Sequence, residues 1–317
     1  MEIFTAQALS QLIQISPSAC AVLKALIYFD VFKYPLSAQE AYENSELINL
    51  TQNTVETELE NLVTLKIIHK QDGFYFISDD TSIIERRKRG NEEANAKMEI
   101  AHRYSQIIAS FPFVKAVCIS GSLSKNYMNA ESDIDFFVIT EPHRLWLCRC
   151  MLVAFKKIFL FNSRKNFCVN YYIDSANLEI PDRNLFTATE IAFIKPTCNF
   201  ALYQAFMKAN EWCKDFYPNK PNHPNILEIH KQRPIKRLLE KVLIGKIGER
   251  VDALCFKITL RHWKKKFSHF DENEFDLNLR SRKNVSKHHP QGFQNKVMEA
   301  YHQKIKQIEQ QFSIKIV

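Results

Sequence analysis

Two carboxylates one residue apart inside an apolar run constrain this chain more than any other feature. Asp133 and Asp135 lie in the stretch DIDFFVIT, where Ile134, Phe136, Phe137, Val138 and Ile139 mark a buried strand. Alternate residues of a strand share a face, so the two carboxylates point together, roughly 6–7 Å apart by the strand rise. Like charges this close repel, and burying them is costly unless something pairs with them. A divalent cation removes both penalties. Mg²⁺ accepts a couple of carboxylates together with water and phosphate oxygens, which suits the pair.

The segment upstream supplies the complement. Val114 to Ser120 reads as a second buried strand, ending at Gly121-Ser122, and Asp133 follows Ser122 by eleven positions. Glycine lets the backbone approach a phosphate closely, while Ser122 and the neighbouring amides can donate hydrogen bonds to it. A Gly-Ser pair or an Asp-x-Asp pair alone occurs everywhere. Both together, at this spacing and each on a strand or strand end, are hard to obtain by chance.

That pattern resembles the signature of the polymerase β-like nucleotidyltransferases: an apolar strand, Gly-Ser, a spacer, then Asp-hydrophobic-Asp in a second strand. The resemblance covers about thirty residues directly, and more loosely the stretch to about residue 217. It implies a mixed α/β (α+β) core that moves a nucleoside monophosphate from an NTP to a hydroxyl acceptor and releases pyrophosphate. The family includes poly(A) polymerases, CCA-adding enzymes, antibiotic nucleotidyltransferases and small toxin–antitoxin proteins. By the same resemblance, Asp133 and Asp135 are the catalytic metal ligands for Mg²⁺ or Mn²⁺. Gly121 and Ser122 hold the triphosphate, and Ser124 and Lys125 add phosphate contacts.

The family's third acid, from a later strand, completes the metal site and acts as general base. Here the corresponding strand is Phe167 to Ile173, and the position between hydrophobic neighbours is Asn170, which cannot take a proton. Asp174 lies on the same face but four residues on, roughly 13 Å away. Glu179, between Leu178 and Ile180, fits the pattern if the strands are laid out differently. Asp174 is the nominal third catalytic residue, with Asn170 the competitor for its place. The departure leaves two readings open: an active enzyme with two acids, or a nucleotide-binding regulatory protein that no longer turns its ligand over.

The rest of the chain divides into segments. Residues 1–80 read as three helices followed by a hairpin around Asp72-Gly73, the order of a winged-helix unit, which this stretch resembles. Ser37 is the expected N-cap of the second helix. The third helix carries Glu56, Glu58 and Glu60 with one base, Lys66, at its end, so it would repel a polyanion. A DNA-binding regulator is therefore the least favoured alternative. Residues 81–110 form a charged helical connector, 111–217 the nucleotidyltransferase core, 218–234 a turn-rich linker, and 235–317 a basic helical segment.

Composition sets the outer bounds. A chain 46% hydrophobic and 25% charged is globular, and its net charge of +8 admits an anionic ligand without requiring one. Eight scattered cysteines include no Cys-x-x-Cys pair, so no zinc site is indicated. The N-terminus shows no secretory leader, and the apolar run Leu145 to Phe161 is interrupted by Arg149, Lys156 and Lys157. The expectation is a reduced cytoplasmic setting and no membrane partner. The acceptor is open: small molecule, protein or RNA. Lesser signals have bland readings. Thr187 to Glu190 is expected to open a helix as a capping box, His288 and His289 to sit on a solvated polar loop, and Arg261 to Lys266 to be exposed surface.

Overall fold

The computed structural model describes residues 14–221 and 234–316. The N-terminal stretch read for a leader, and positions 222–233 of the linker, lie outside them. The chain separates into two compact units: one of residues up to Arg87, Lys214–Pro221 and Asn295 onward, the other of Lys88–Cys213 and Asn222–Gln294.

In the first unit, α1 (Pro17–Asp30) starts where Ser16 accepts a hydrogen bond from the Ala19 amide, with proline at the first turn. It is followed by β1 (Leu36–Ser37), α2 (Ala38–Glu43), α3 (Gln52–Thr64), β2 (His69–Gln71) and β3 (Phe74–Phe76). Ser37 caps α2 in a reciprocal capping box with Glu40. Val55, Leu59 and Leu62 form the buried stripe of α3. The hairpin between β2 and β3 turns at Asp72 and Gly73, which both take positive φ (52° and 77°), as a tight two-residue turn requires. The strands pair antiparallel in the order β1-β3-β2. The chain's final residues return to this unit, where Tyr301 packs edge-on against Tyr28 and Lys304 pairs with the buried Asp30.

Helix α4 (Ser82–Ala109) leads into the second unit, whose centre is a six-stranded sheet. It contains β4 (Val114–Ser120), β5 (Asp135–Thr140), β6 (Cys168–Asp174), β7 (Lys195–Cys198), β8 (Ser281–Arg282) and β9 (Val285–Lys287), in the order β7-β4-β5-β6-β9-β8. Only β5 and β6 pair parallel, so the sheet is mixed. A parallel pair needs a crossover. The apolar run at 145 provides it as α6 (Leu145–Phe159), after the one-turn α5 (Gly121–Ser124). Alternation along the strands then selects two faces. Val117, Ile119, Ile134, Phe136, Val138 and Tyr172 pack with Trp146 and Leu152 of α6 and with Ala101 of α4. Phe137 turns to the opposite face, against Tyr171 and Phe206. Phe206 belongs to α8 (Phe200–Ala209), which covers that face, and α7 (Leu185–Ala192) precedes β7 in the chain.

The remaining helices are α9 (Pro234–Leu243), α10 (Lys246–Lys266), α11 (Glu272–Leu279) and α12 (Phe293–Phe312). The stretch expected to be purely helical thus also supplies β8 and β9, extending the sheet beyond β6. These strands are two and three residues long, too short to declare themselves by alternation. They are fixed by charge. The near-buried Arg280 makes a two-pronged bond to Asp182, each arm 2.8 Å, and Lys287, also near-buried, lies 3.7 Å from the same carboxylate. Replacing Asp182 by Ala leaves Arg280 with only the outer carboxylate of Asp276 and Lys287 with only the neutral Gln294 amide oxygen. It should cost about 3–5 kcal/mol in denaturant unfolding, whereas Asp276→Ala, on the exposed side of Arg280, should cost far less.

Candidate active site

Strand pairing brings the two halves of the sequence motif together. Ser120, the last residue of β4, lies opposite Asp135, the first of β5. The next residue, Gly121, takes φ of +66°, and a Cβ there would stand 2.4 Å from Asp135 Oδ2. Glycine is required on both counts, conformation and space. The turn that follows is braced from within. The Ser124 hydroxyl, buried, donates to the Gly121 carbonyl at 2.7 Å, and Lys125 Nζ reaches the same oxygen at 3.2 Å. Ser122 is half-buried, and its hydroxyl meets only the thioether of Met128 at 3.7 Å.

Asp133 sits just ahead of β5. The ladder reaches its neighbour, because the Ile134 amide donates to Lys165 O and the Cys168 amide to Ile134 O. Ile134 is fully buried and both aspartates are half-buried, as alternation requires. No described residue hydrogen-bonds or ion-pairs with the Asp133 carboxylate. Burial pushes the Asp135 carboxyl up to about 7. The charges of Glu190 and Asp133 push the same way, against the Cys168 thiol and Lys125. Lys156 of α6 is near enough to feel Asp133, although burial holds its ammonium below the usual range.

Of the three residues weighed for a third acid, Asn170 is the one beside Asp135. Between Phe136 and Phe137 the pairing of β5 with β6 slips, from Val169 to Tyr171, so Asn170 is the extra residue of a β-bulge. The bulge aims its side chain at the motif, and Asn170 Nδ2 donates to Asp135 Oδ1 at 2.7 Å. Asp174 is elsewhere. It lies at the other end of β6, opposite Thr140, roughly 17 Å along the strand from the level of Asp135. There it is buried and accepts from the Ala176 amide and from Asn177 Nδ2, a turn-capping role. Glu179 is exposed, paired with Arg183, and lines a cavity of about 620 Å³ with Tyr171, Ile173 and Arg280. Gly121, Ser122, Asp133, Asp135 and Asn170 do not border that cavity.

Residues 103–195 match the family model of the nucleotidyltransferase domain. This segment is a nucleotidyltransferase domain. The match supports the polymerase β-like superfamily and includes Gly121, Ser122, Asp133, Asp135 and Asn170. Comparison with curated proteins and with solved structures returns no match.

Two features of the nucleotidyltransferase domain and its surroundings differ from expectation. Thr187 to Glu190 does not open a helix: α7 begins earlier, at Asn184, whose Oδ1 accepts from the Thr187 amide. Glu190 is thereby released to face the site, where it pairs with Lys125 at 2.7 Å and its charge reaches Asp135. A glutamate on an apolar helix, 55 positions after Asp135, carries no local signal of such a role. Nor are His288 and His289 solvated, since they follow β9 against the sheet. Burial, then nearby Arg149 for His288 and Lys287 for His289, presses their pKa values down to about 3 and about 4. Both imidazoles are therefore neutral at pH 7.

Among the described residues no group of three or more His, Cys, Asp or Glu side chains is placed to hold a metal ion. Two carboxylates nevertheless suit Mg²⁺, which draws its remaining ligands from water and phosphate. The missing Gly121 side chain lets the backbone of the turn approach the Asp135 carboxylate closely.

Two outcomes are expected. Gly121→Ala should destabilise the fold by more than about 1 kcal/mol, because an L side chain is forced into positive φ against a carboxylate; urea denaturation checks this. For Asp135 the folded-state pKa is raised, so its protonated form stabilises the metal-free protein. That contribution is full below about pH 4 and is lost as pH rises through about 7. The melting temperature of metal-free wild type relative to Asp135→Asn should fall over that interval and level off above it.

Proposed function

We propose that the nucleotidyltransferase domain transfers a nucleoside monophosphate from an NTP to a hydroxyl acceptor, with Asp133 and Asp135 holding Mg²⁺ or Mn²⁺. The observation that carries this reading is the pairing of Ser120 with Asp135, which sets a glycine turn against a half-buried aspartate pair. When bound, the cation neutralises charge on the phosphates and polarises the phosphorus under attack. The Ser122 hydroxyl, held only by a long contact to the Met128 thioether, and the amides of the Gly121 turn would donate to phosphate oxygens. Lys125, held at the edge by Glu190, adds a cation within reach of the same turn. Ser124 contributes by bracing the turn from inside rather than by touching phosphate.

The Asn170 amide holds Asp135 by its Oδ1 and thereby orients the carboxylate. It accepts no proton, so as the acceptor oxygen bonds to the α-phosphorus and pyrophosphate leaves, the hydroxyl proton passes to solvent water rather than to a carboxylate at that position. The two-acid enzyme reading and the nucleotide-binding regulator reading diverge on this residue. The regulator reading rests on Asn170 alone. We read the first unit as winged-helix-like and as a packing or protein-contact module: Glu60 of α3 is bonded to Tyr75 and Lys70 of the hairpin, which ties up a wing cation that DNA would need.

The test uses the full chain with each of four α-labelled NTPs, Mg²⁺ or Mn²⁺, and a nucleotide-depleted cell extract as acceptor source. Label transfer should vanish in Asp133→Asn/Asp135→Asn. Asn170→Asp should raise it, by up to about 10²-fold if that position is the lost general base. Transfer that survives the double substitution would sink the reading. Metal-dependent binding without transfer, in both wild type and Asn170→Asp, would favour the regulator.

A further inference from the structure

Helix α9 is amphipathic with its faces reversed. Its inward contacts are polar: Lys236 Nζ donates to the carbonyls of Ala109 and Val114 at 2.9 and 2.8 Å, and Glu240 accepts from the Phe113 amide at 2.8 Å. The Arg144 guanidinium caps the helix end, donating to the carbonyls of Leu243, Ile244 and Gly245. The corner to α10 is tight, since a Cβ on Gly248 would fall 1.7 Å from Leu243 O. With the polar side pinned to the protein, Ile235, Leu238 and Val242 stand more than half exposed. Their spacing of three and four residues makes one stripe. Ile244 and Ile247 at the corner, then Leu254 and Ile258 on α10, are exposed to a similar degree. A helix stabilised only by the hydrophobic effect would have turned these inward.

Charge says what covers them. Residues 234–250, which span α9 and the start of α10, hold five Lys and Arg against two Glu, and setting aside the inward-bonded Lys236 and Glu240 leaves four cations against Glu249. A symmetric contact with a second copy would set this surface against itself, like charge on like charge. A nucleic acid would satisfy the cations but gain nothing from exposed isoleucine and leucine. An anionic lipid surface satisfies both, with phosphate headgroups for the cations and the acyl boundary for the aliphatic stripe. Among the described residues no helix is long and apolar enough to cross a membrane. Lying in the interface is a separate arrangement that needs only a short amphipathic face.

We propose that α9 and the start of α10 form a docking surface for an anionic membrane. Binding is peripheral and reversible, carried by the aliphatic stripe and steered by the surrounding lysines and arginines.

The experiment is co-sedimentation of the purified full chain with vesicles of phosphatidylglycerol and phosphatidylcholine, or of phosphatidylcholine alone. Wild type should sediment with the anionic vesicles and remain in solution with the neutral ones. Leu238→Glu/Val242→Glu alters side chains that face solvent, so the fold should survive, as circular dichroism would verify, and sedimentation should be lost. Lys246→Glu/Arg250→Glu should weaken binding by at least about fivefold per position. No sedimentation of folded wild type with either vesicle overturns the proposal. So does a wild-type dimer that the Leu238/Val242 variant splits without any vesicle binding, or binding to single-stranded RNA that persists in that variant. None of these readouts involves nucleotidyl transfer, so the result stands apart from the fate of the proposed activity.

Discussion

The pairing of Ser120 with Asp135 is the contact on which the site depends. It fixes where β4 ends relative to where β5 begins, and with a strand period of two it also decides which face each residue meets. A slip of one residue would bury Asp135 among Phe136's neighbours and turn Ile134 toward the turn. The register is held from both sides. Ile119 and Phe136 are cross-strand partners in the core, and the bulge at Asn170 absorbs the mismatch with β6. The absence of a side chain at Gly121 then allows backbone and carboxylate to meet. The site is thus a by-product of apolar packing on the opposite face of the same strands.

Much of this was legible in the sequence, and for identifiable reasons. Val114–Ser120 reads as a strand because it is apolar and β-branched, the 72–73 hairpin because Asp-Gly accepts positive φ, and α2 because Ser37 and Glu40 stand three apart. The aspartate pair was legible because two acids in an apolar strand demand a reason. What escaped is non-local. Asn170 could be suspected, but the bulge that aims it at Asp135 depends on register with a neighbouring strand. Asp174 carries the carboxylate that Asn170 lacks, yet it lies four residues on at the far end of β6, in a turn. Glu190 and the strands β8 and β9 depend on tertiary contacts that no window of sequence contains.

The exposed stripe of α9 shows the same limit from the other side. Its periodicity is plain in the sequence, and periodicity alone predicts an inward apolar face. The outcome is the reverse because Lys236 and Glu240 find backbone partners at the ends of α4 and β4, and Arg144 closes the helix terminus. Periodicity identifies a face; tertiary hydrogen bonds decide where it points. The half-buried Asp135, with its carboxyl raised to about 7, is a comparable conflict within the nucleotidyltransferase domain. Sites that break the local rules are where a ligand is expected to restore the balance.

Asp133 and Asp135 are proposed to form a cation site that a nucleotide completes. Its most direct test is Mn²⁺ binding to the purified chain, followed by electron paramagnetic resonance, with and without a non-hydrolysable NTP analogue. Mn²⁺ alone should bind weakly, binding should be much tighter with the analogue present, and both should be lost in Asp135→Asn. Mn²⁺ binding that ignores the analogue, or that persists unchanged in Asp135→Asn, would contradict the proposal.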